Sequence, residues 1–222
     1  MQALHSSSAL GINVFEYWQR IGQVPTIAAA CGFCEKESQV SESIVFEDKY
    51  MIDTRLVTAP NIDAVIQNKR DANYKLFAVE CKFSEAYVGR RHAGFKPKYF
   101  DAAIDQQALW GKIPRLHALA QSMCPDDTQF EYLHVSQLIK HVLGLKKVVG
   151  KTGFRLMYLW YDVLEEPGAI HRKEIETFKD VAVSDGIKFH AMSYQELIAK
   201  MFNELEPEHS EYVEYLRERY LS

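Results

Sequence analysis

The stretch KLFAVECKF, residues 75–83, reads as a β-strand: it is largely apolar and aromatic and contains neither Gly nor Pro. Alternate residues of a strand point to opposite faces. Phe77, Val79, Cys81 and Phe83 therefore share one wholly apolar face, while Leu76, Ala78, Glu80 and Lys82 share the other. An acid and a base thus stand two residues apart on one side of a hydrophobic strand. Burying charges is costly unless they are paired or hold an ion. Taken alone, the pattern also describes a structural Glu–Lys pair on an exposed sheet face.

Upstream, Pro60-Asn61-Ile62-Asp63 opens a second strand, IDAVIQ (62–67), with Ile62, Ala64 and Ile66 expected on one face and Asp63, Val65 and Gln67 on the other. The polar NKRDAN (68–73) between the two strands has the composition of a hairpin loop. Counting outward from that loop pairs residue 63 near 79–81, so Asp63 and Glu80 converge beside Lys82. Two hard oxygen donors suit Mg²⁺, which keeps several waters and bridges to phosphate. A metal-activated water attacking a phosphodiester, with a lysine to orient that water or offset developing charge, is chemistry this trio can support.

Pro60-x-x-Asp63 followed by Glu80-x-Lys82 on the next strand resembles the signature of the PD-(D/E)XK, or restriction-endonuclease-like, nuclease superfamily. LHSSSALGINVFEYW (4–18) and QQALWGKIPRLHALA (106–120) look like segments of a sparsely characterised restriction-endonuclease-like branch, so the resemblance spans most of the chain. It implies that Asp63 and Glu80, helped by the backbone carbonyl of Cys81, hold Mg²⁺ (Mn²⁺ can substitute) and that Lys82 serves the attacking water. The implied activity is hydrolysis of DNA phosphodiesters, with RNA left open. Two family features are missing. The acidic residue of the first helix has only Glu16 as a candidate, roughly opposite the apolar stripe. The Gln-x-x-x-Tyr of one branch is here Gln106 followed by Trp110. Gln106 and Gln107 are within reach of a supporting role, against the plainer reading of solvent-facing helix glutamines.

Around this core, residues 6–21 read as a helix with Leu10, Val14, Trp18 and Ile21 at helical spacing. Short strands are expected at 44–51 and 55–58, and a helical region at about 98–123, broken near Gly111 and Pro114. A helix near 131–147, the apolar strand FRLMYLWYDV (154–163), a helix near 170–182, a strand at 187–192 and helices from Ser193 and over 207–221 complete the order. Strands first, then alternating helices and strands, predict one α/β domain over 1–222, a central mixed sheet flanked by helices.

The loop after the central strand carries Arg90, Arg91, His92, Lys96 and Lys98, natural contacts for a nucleic-acid backbone. Lys140, His141, Lys146, Lys147 and Lys151 form a second basic cluster that reads as ordinary helix surface. The net charge of −4 is unusual for a nucleic-acid binder, but a phosphate groove needs only a local patch. Cys31 and Cys34 form CGFC, which admits a redox pair or half a zinc site but lacks the partners either needs. Plain thiols in a reducing compartment are the simpler reading. No apolar run approaches the roughly 18–20 residues of a membrane span, and a cytoplasmic location is expected. The expected partner is DNA, with a homodimer left open. A catalytically silent nucleic-acid- or protein-binding module on the same fold, and a thiol–disulfide protein using Cys31/Cys34, are the alternatives.

Overall fold

Ser41–Lys49 (β1), Asn61–Asn68 (β2), Leu76–Lys82 (β3), Phe154–Trp160 (β4) and Phe189–Ser193 (β5) form one sheet in that spatial order. The computed structural model describes residues 7–56, 59–88, 92–205 and 207–221. β1, β2 and β3 form an antiparallel meander; β4 and β5 continue from β3 in parallel. The apolar β3 occupies the centre and β4 is also interior, as strands hydrophobic on both faces require.

Helices cover both faces. The crossover from β3 to β4 carries Gln106–Trp110 (α3), Pro114–Ser122 (α4) and Val135–Val149 (α5), and that from β4 to β5 carries Glu166–Ser184 (α6). These four pack on the face holding Leu76, Ala78, Leu156, Tyr158 and Trp160. The other face, with Phe77, Val79, Cys81, Met157 and Leu159, is covered by Ser7–Arg20 (α1), Val24–Ala30 (α2), Tyr194–Glu204 (α7) and Ser210–Tyr220 (α8). Strand parity at β3 and β4 thus sorts side chains between two cores. α1 passes so close over β3 that a Cβ on Gly11 would lie 3.0 Å from Cys81 Sγ. α7 begins with a capping box in which Ser193 and Glu196 satisfy each other's backbone N–H groups. Among the described residues no helix is long and apolar enough to cross a membrane.

Several expectations need correction. α1 ends at Arg20, so Ile21 lies beyond the stripe and is exposed, the chain turning at Gly22 with φ 70°. The second short helix, α2, has an Ala-rich sequence whose apolar run carries no clear periodicity. Thr54–Leu56 is a 3₁₀ turn rather than a strand, and the rest of the 55–58 candidate lies outside the described residues. Ile62 joins the core of Val65, whereas Ala64 and Ile66 pack on the opposite face. Strict alternation fails at Asp63, where the β2–β3 ladder stops, although β1 stays paired with Ala64 and Ile62 on either side of an irregular Glu47 at φ 55°.

Candidate functional site

The site lies where the β2–β3 ladder runs out. Its last pair is Ala64↔Val79. One step further sets Asp63 opposite Glu80, but there a side chain replaces the backbone acceptor: Cys81 N–H donates to Asp63 Oδ2 at 2.7 Å. Glu80 and Lys82 follow on the carboxyl half of β3, paired in parallel with Tyr158 and Trp160 of β4. The outer side of strand carboxyl ends is where ligands bind in α/β sheets.

Glu80 is 1% exposed and both of its oxygens are engaged. Lys82 Nζ forms an ion pair with Oε1 at 2.6 Å, and His141 Nε2 meets Oε2 at 2.7 Å. His141, on the apolar stripe of α5 with Leu138, Val142 and Leu145, is completely buried. It is therefore not helix surface, as the basic cluster around it suggests. A polar residue on the buried stripe of a helix was the available signal, obscured by neighbouring lysines.

The two carboxylates behave oppositely. Burial, then the charge of Glu80, push Asp63 up to about 7, against the Cys81 N–H and Lys82. Burial alone would raise Glu80 as well, but Lys82 and then His141 outweigh it and hold its carboxyl at about 2. Lys82 is raised: burial opposes its charge, and Glu80, followed by Asp63, more than compensates. A third carboxylate contributes. Glu47 lies between Phe46 and Asp48, which pair with Ala64 and Ile62, and so stands beside Asp63. It adds to the Asp63 shift, accepts a hydrogen bond from Asn61 Nδ2, and holds φ 55° inside a strand. Non-Gly residues adopt that conformation at a cost, and such strain clusters at functional sites. Nothing in the local sequence marks Glu47.

The donors here fit a hard divalent cation. N–H and C=O of one strand residue leave on the same edge, so the Cys81 carbonyl faces the Asp63 side, past the last ladder pair. Two mutually repelling carboxylates and this carbonyl match the protein share of a Mg²⁺ site completed by water. Among the described residues no three His, Cys, Asp or Glu side chains gather around one point, so a closed all-protein cage is not built here.

The remaining candidates are dispersed. Gln106 Nε2 donates to the carbonyls of Asp101 at 2.8 Å and Tyr99 at 3.4 Å, bracing the loop before α3 rather than meeting the carboxylates. Lys98 Nζ is held by the Leu56 carbonyl at 2.8 Å, whereas Lys96 is exposed. Arg90 and Arg91 lie outside the described residues. Lys140 lies over the rings of Phe95 and Tyr99, where burial and then Lys96 lower its pKa. His134 stacks on His92 with centroids 4.8 Å apart and is lowered to about 4 by burial, then His92, Lys82 and Lys140. His134 thus feels the charges of Lys82 and Lys140, and Lys140 that of Lys96. Glu16 is exposed on α1.

Neither cysteine of CGFC is activated. Cys31 caps the carboxyl end of α2, where the helix dipole disfavours a thiolate. Burial raises both thiols, Cys31 most. All four cysteines are unpaired.

A family model described as "Restriction Endonuclease associating with ARP" matches residues 1–221. Neither the curated proteins nor the solved structures compared contain a match.

Proposed function

The chain belongs to the family of restriction endonucleases associating with ARP, and from that membership and its restriction-endonuclease-like sheet we propose that it is a metal-dependent nuclease hydrolysing phosphodiester bonds of DNA. The observation that carries the reading is the meeting of Asp63 with Glu80 beside Lys82. The Asp63 carboxyl is raised to about 7 by burial and by its partner's charge, an arrangement that a cation would relieve.

Asp63, Glu80 and the Cys81 carbonyl would hold Mg²⁺, or Mn²⁺ in its place, which when bound supplies Lewis-acid polarisation and a more acidic water. Lys82, now paired with Glu80 Oε1, would hydrogen-bond that water or a phosphoryl oxygen if cation binding loosens this contact. Lys96, Lys140 and the Arg90/Arg91 segment would contact the nucleic-acid backbone through charge without reading sequence. A non-cleaving binding module is the second reading, favoured by one feature: both Glu80 oxygens already have partners.

The test is cleavage of double- and single-stranded DNA and of RNA with Mg²⁺, Mn²⁺ or EDTA. DNA cutting that needs the cation is expected, with Asp63→Asn and Glu80→Gln each lowering the rate by roughly a hundredfold or more. Binding without cation-dependent cutting would select the silent module.

A further inference from the structure

Glu80 projects from the centre of the sheet into the layer of α3–α6, and the group that meets it there is an imidazole. His141 is wholly buried and its Nε2 lies 2.7 Å from Glu80 Oε2. Its other ring nitrogen, Nδ1, is buried without a hydrogen-bond partner. The surrounding stripe of α5 is Leu138, Ile139, Val142 and Leu145, so the packing of the helix itself gives no reason for an imidazole at 141. The imidazole nonetheless sits there, aimed at one carboxylate oxygen, while Lys82 takes the other.

We propose that His141 is a positioning residue: its Nε2–H anchors Oε2 of Glu80 from the helix side, leaving Oε1, on the Lys82 side, to face the cation. The inference rests on the nuclease reading above and adds to it the device that orients one metal-holding carboxylate. A carboxylate on a single-bond stem rotates. Tethering one oxygen removes that rotation, so less order must be imposed when the cation binds. Partners of this kind are worth a factor of about 10–100 in metal affinity or activity. With Nε2 carrying the proton, a neutral His141 is fixed in one tautomer, and its bare Nδ1 is the buried atom that lacks a donor.

Two variants separate positioning from packing. His141→Phe keeps a planar ring and removes the donor; His141→Gln returns an N–H near the Nε2 position. Calorimetric titration with Mn²⁺ and with Mg²⁺, thermal unfolding, and ¹⁵N spectra of the metal-free parent's imidazole supply the readouts. The expected result is a proton on Nε2 in the parent, metal affinity about 10–100-fold weaker in His141→Phe, and recovery to within a few-fold in His141→Gln. An Nε2 without a proton, or a folded His141→Phe that binds metal as the parent does, overturns the proposal. Should His141→Phe not fold, His141→Gln and the tautomer decide, and a folded His141→Gln with weakened metal binding overturns it. The two readings fail separately. A parent that binds Mn²⁺ through Glu80 and cuts no nucleic acid sinks the nuclease and leaves the tether. A parent that cuts with Mg²⁺ alongside an equally competent His141→Phe sinks the tether alone.

Discussion

Asp63, Glu80 and Lys82 form an unequal charge balance: one buried and one half-buried carboxylate, one ammonium 2.6 Å from Glu80, and an imidazole on the far oxygen. Lys82 and His141 both engage Glu80, so Asp63 bears the repulsion. Below about pH 4 it is protonated in both folded and unfolded chains. Between about 4 and 7 the unfolded chain has lost that proton while the folded chain retains it, so folding takes up a proton and stability falls as pH rises through the window. In metal-free protein the stability of the parent relative to Asp63→Asn should therefore decline from pH 5 to pH 7.5 in urea titrations. Mg²⁺ at the higher pH should stabilise the parent and leave Asp63→Asn unmoved. A pH-independent difference between the two would contradict the assigned environment. Lys82→Met carries a second expectation. Its side chain is 18% exposed and pairs with a Glu80 side chain that is 1% exposed, so its removal strands a buried charge half-compensated by His141. The metal-free variant should lose about 2–3 kcal/mol, below the full cost of breaking a buried pair because Lys82 reaches solvent. Single-turnover cleavage at saturating Mg²⁺ should fall by roughly two orders of magnitude with metal binding retained. Cleavage at the parent rate would reduce Lys82 to a structural partner.

At the scale of elements, α5 is what brings His141 to β3, and its approach depends on Gly144. A Cβ there would lie 2.7 Å from both the Cβ and the carbonyl oxygen of Tyr50, at the end of the β1 segment. His141 and Gly144 are three residues apart and so share a helix face. Gly144→Val should push α5 outward, destabilise the chain by about 1–3 kcal/mol through overpacking, and weaken metal binding in parallel through the displaced His141. Paired thermal unfolding and Mn²⁺ titrations check this; reduced stability with unchanged metal affinity would show that α5 can shift without moving the imidazole. The Ala64↔Val79 limit of the hairpin does comparable work from the other side, since ladder continuation past it would deny Asp63 the Cys81 N–H.

Across the whole molecule, the net charge of −4 sets a background that repels nucleic acid, so binding must come from a local field. Lys140 and Lys96, close enough to repel each other, supply such a field, with Arg90 and Arg91 nearby in sequence. Replacing Arg90, Arg91 and Lys96 by Ala should weaken DNA binding on all sequences alike and reduce the slope of log K against log salt by about one for each phosphate no longer neutralised. Fluorescence anisotropy over a range of salt concentrations measures both quantities. An unchanged slope would place the groove on another face.

What the sequence by itself determined was the part carried by local periodicity. Alternation in 75–83 assigned Glu80 and Lys82 to one face, the polar 68–73 loop closed the hairpin, and counting back from it brought Asp63 to Glu80, which the Ala64↔Val79 register supports. The mixed sheet between helical layers followed from the order of elements. The tertiary structure decided the rest. His141 meets Glu80 across a separation of 61 residues, and no spacing rule spans that distance, because the contact depends on the rotation and depth of a packed helix. Glu47 joins the site through a strand pairing and a backbone angle that its neighbours in sequence do not announce. Ile62 joins the other core next to an irregular β1–β2 step, where Glu47 at φ 55° stands opposite Asp63. Lys98 and Gln106 have the right chemistry for the site and direct it to nearby carbonyls, since a half-buried polar side chain takes the partner that folding sets closest.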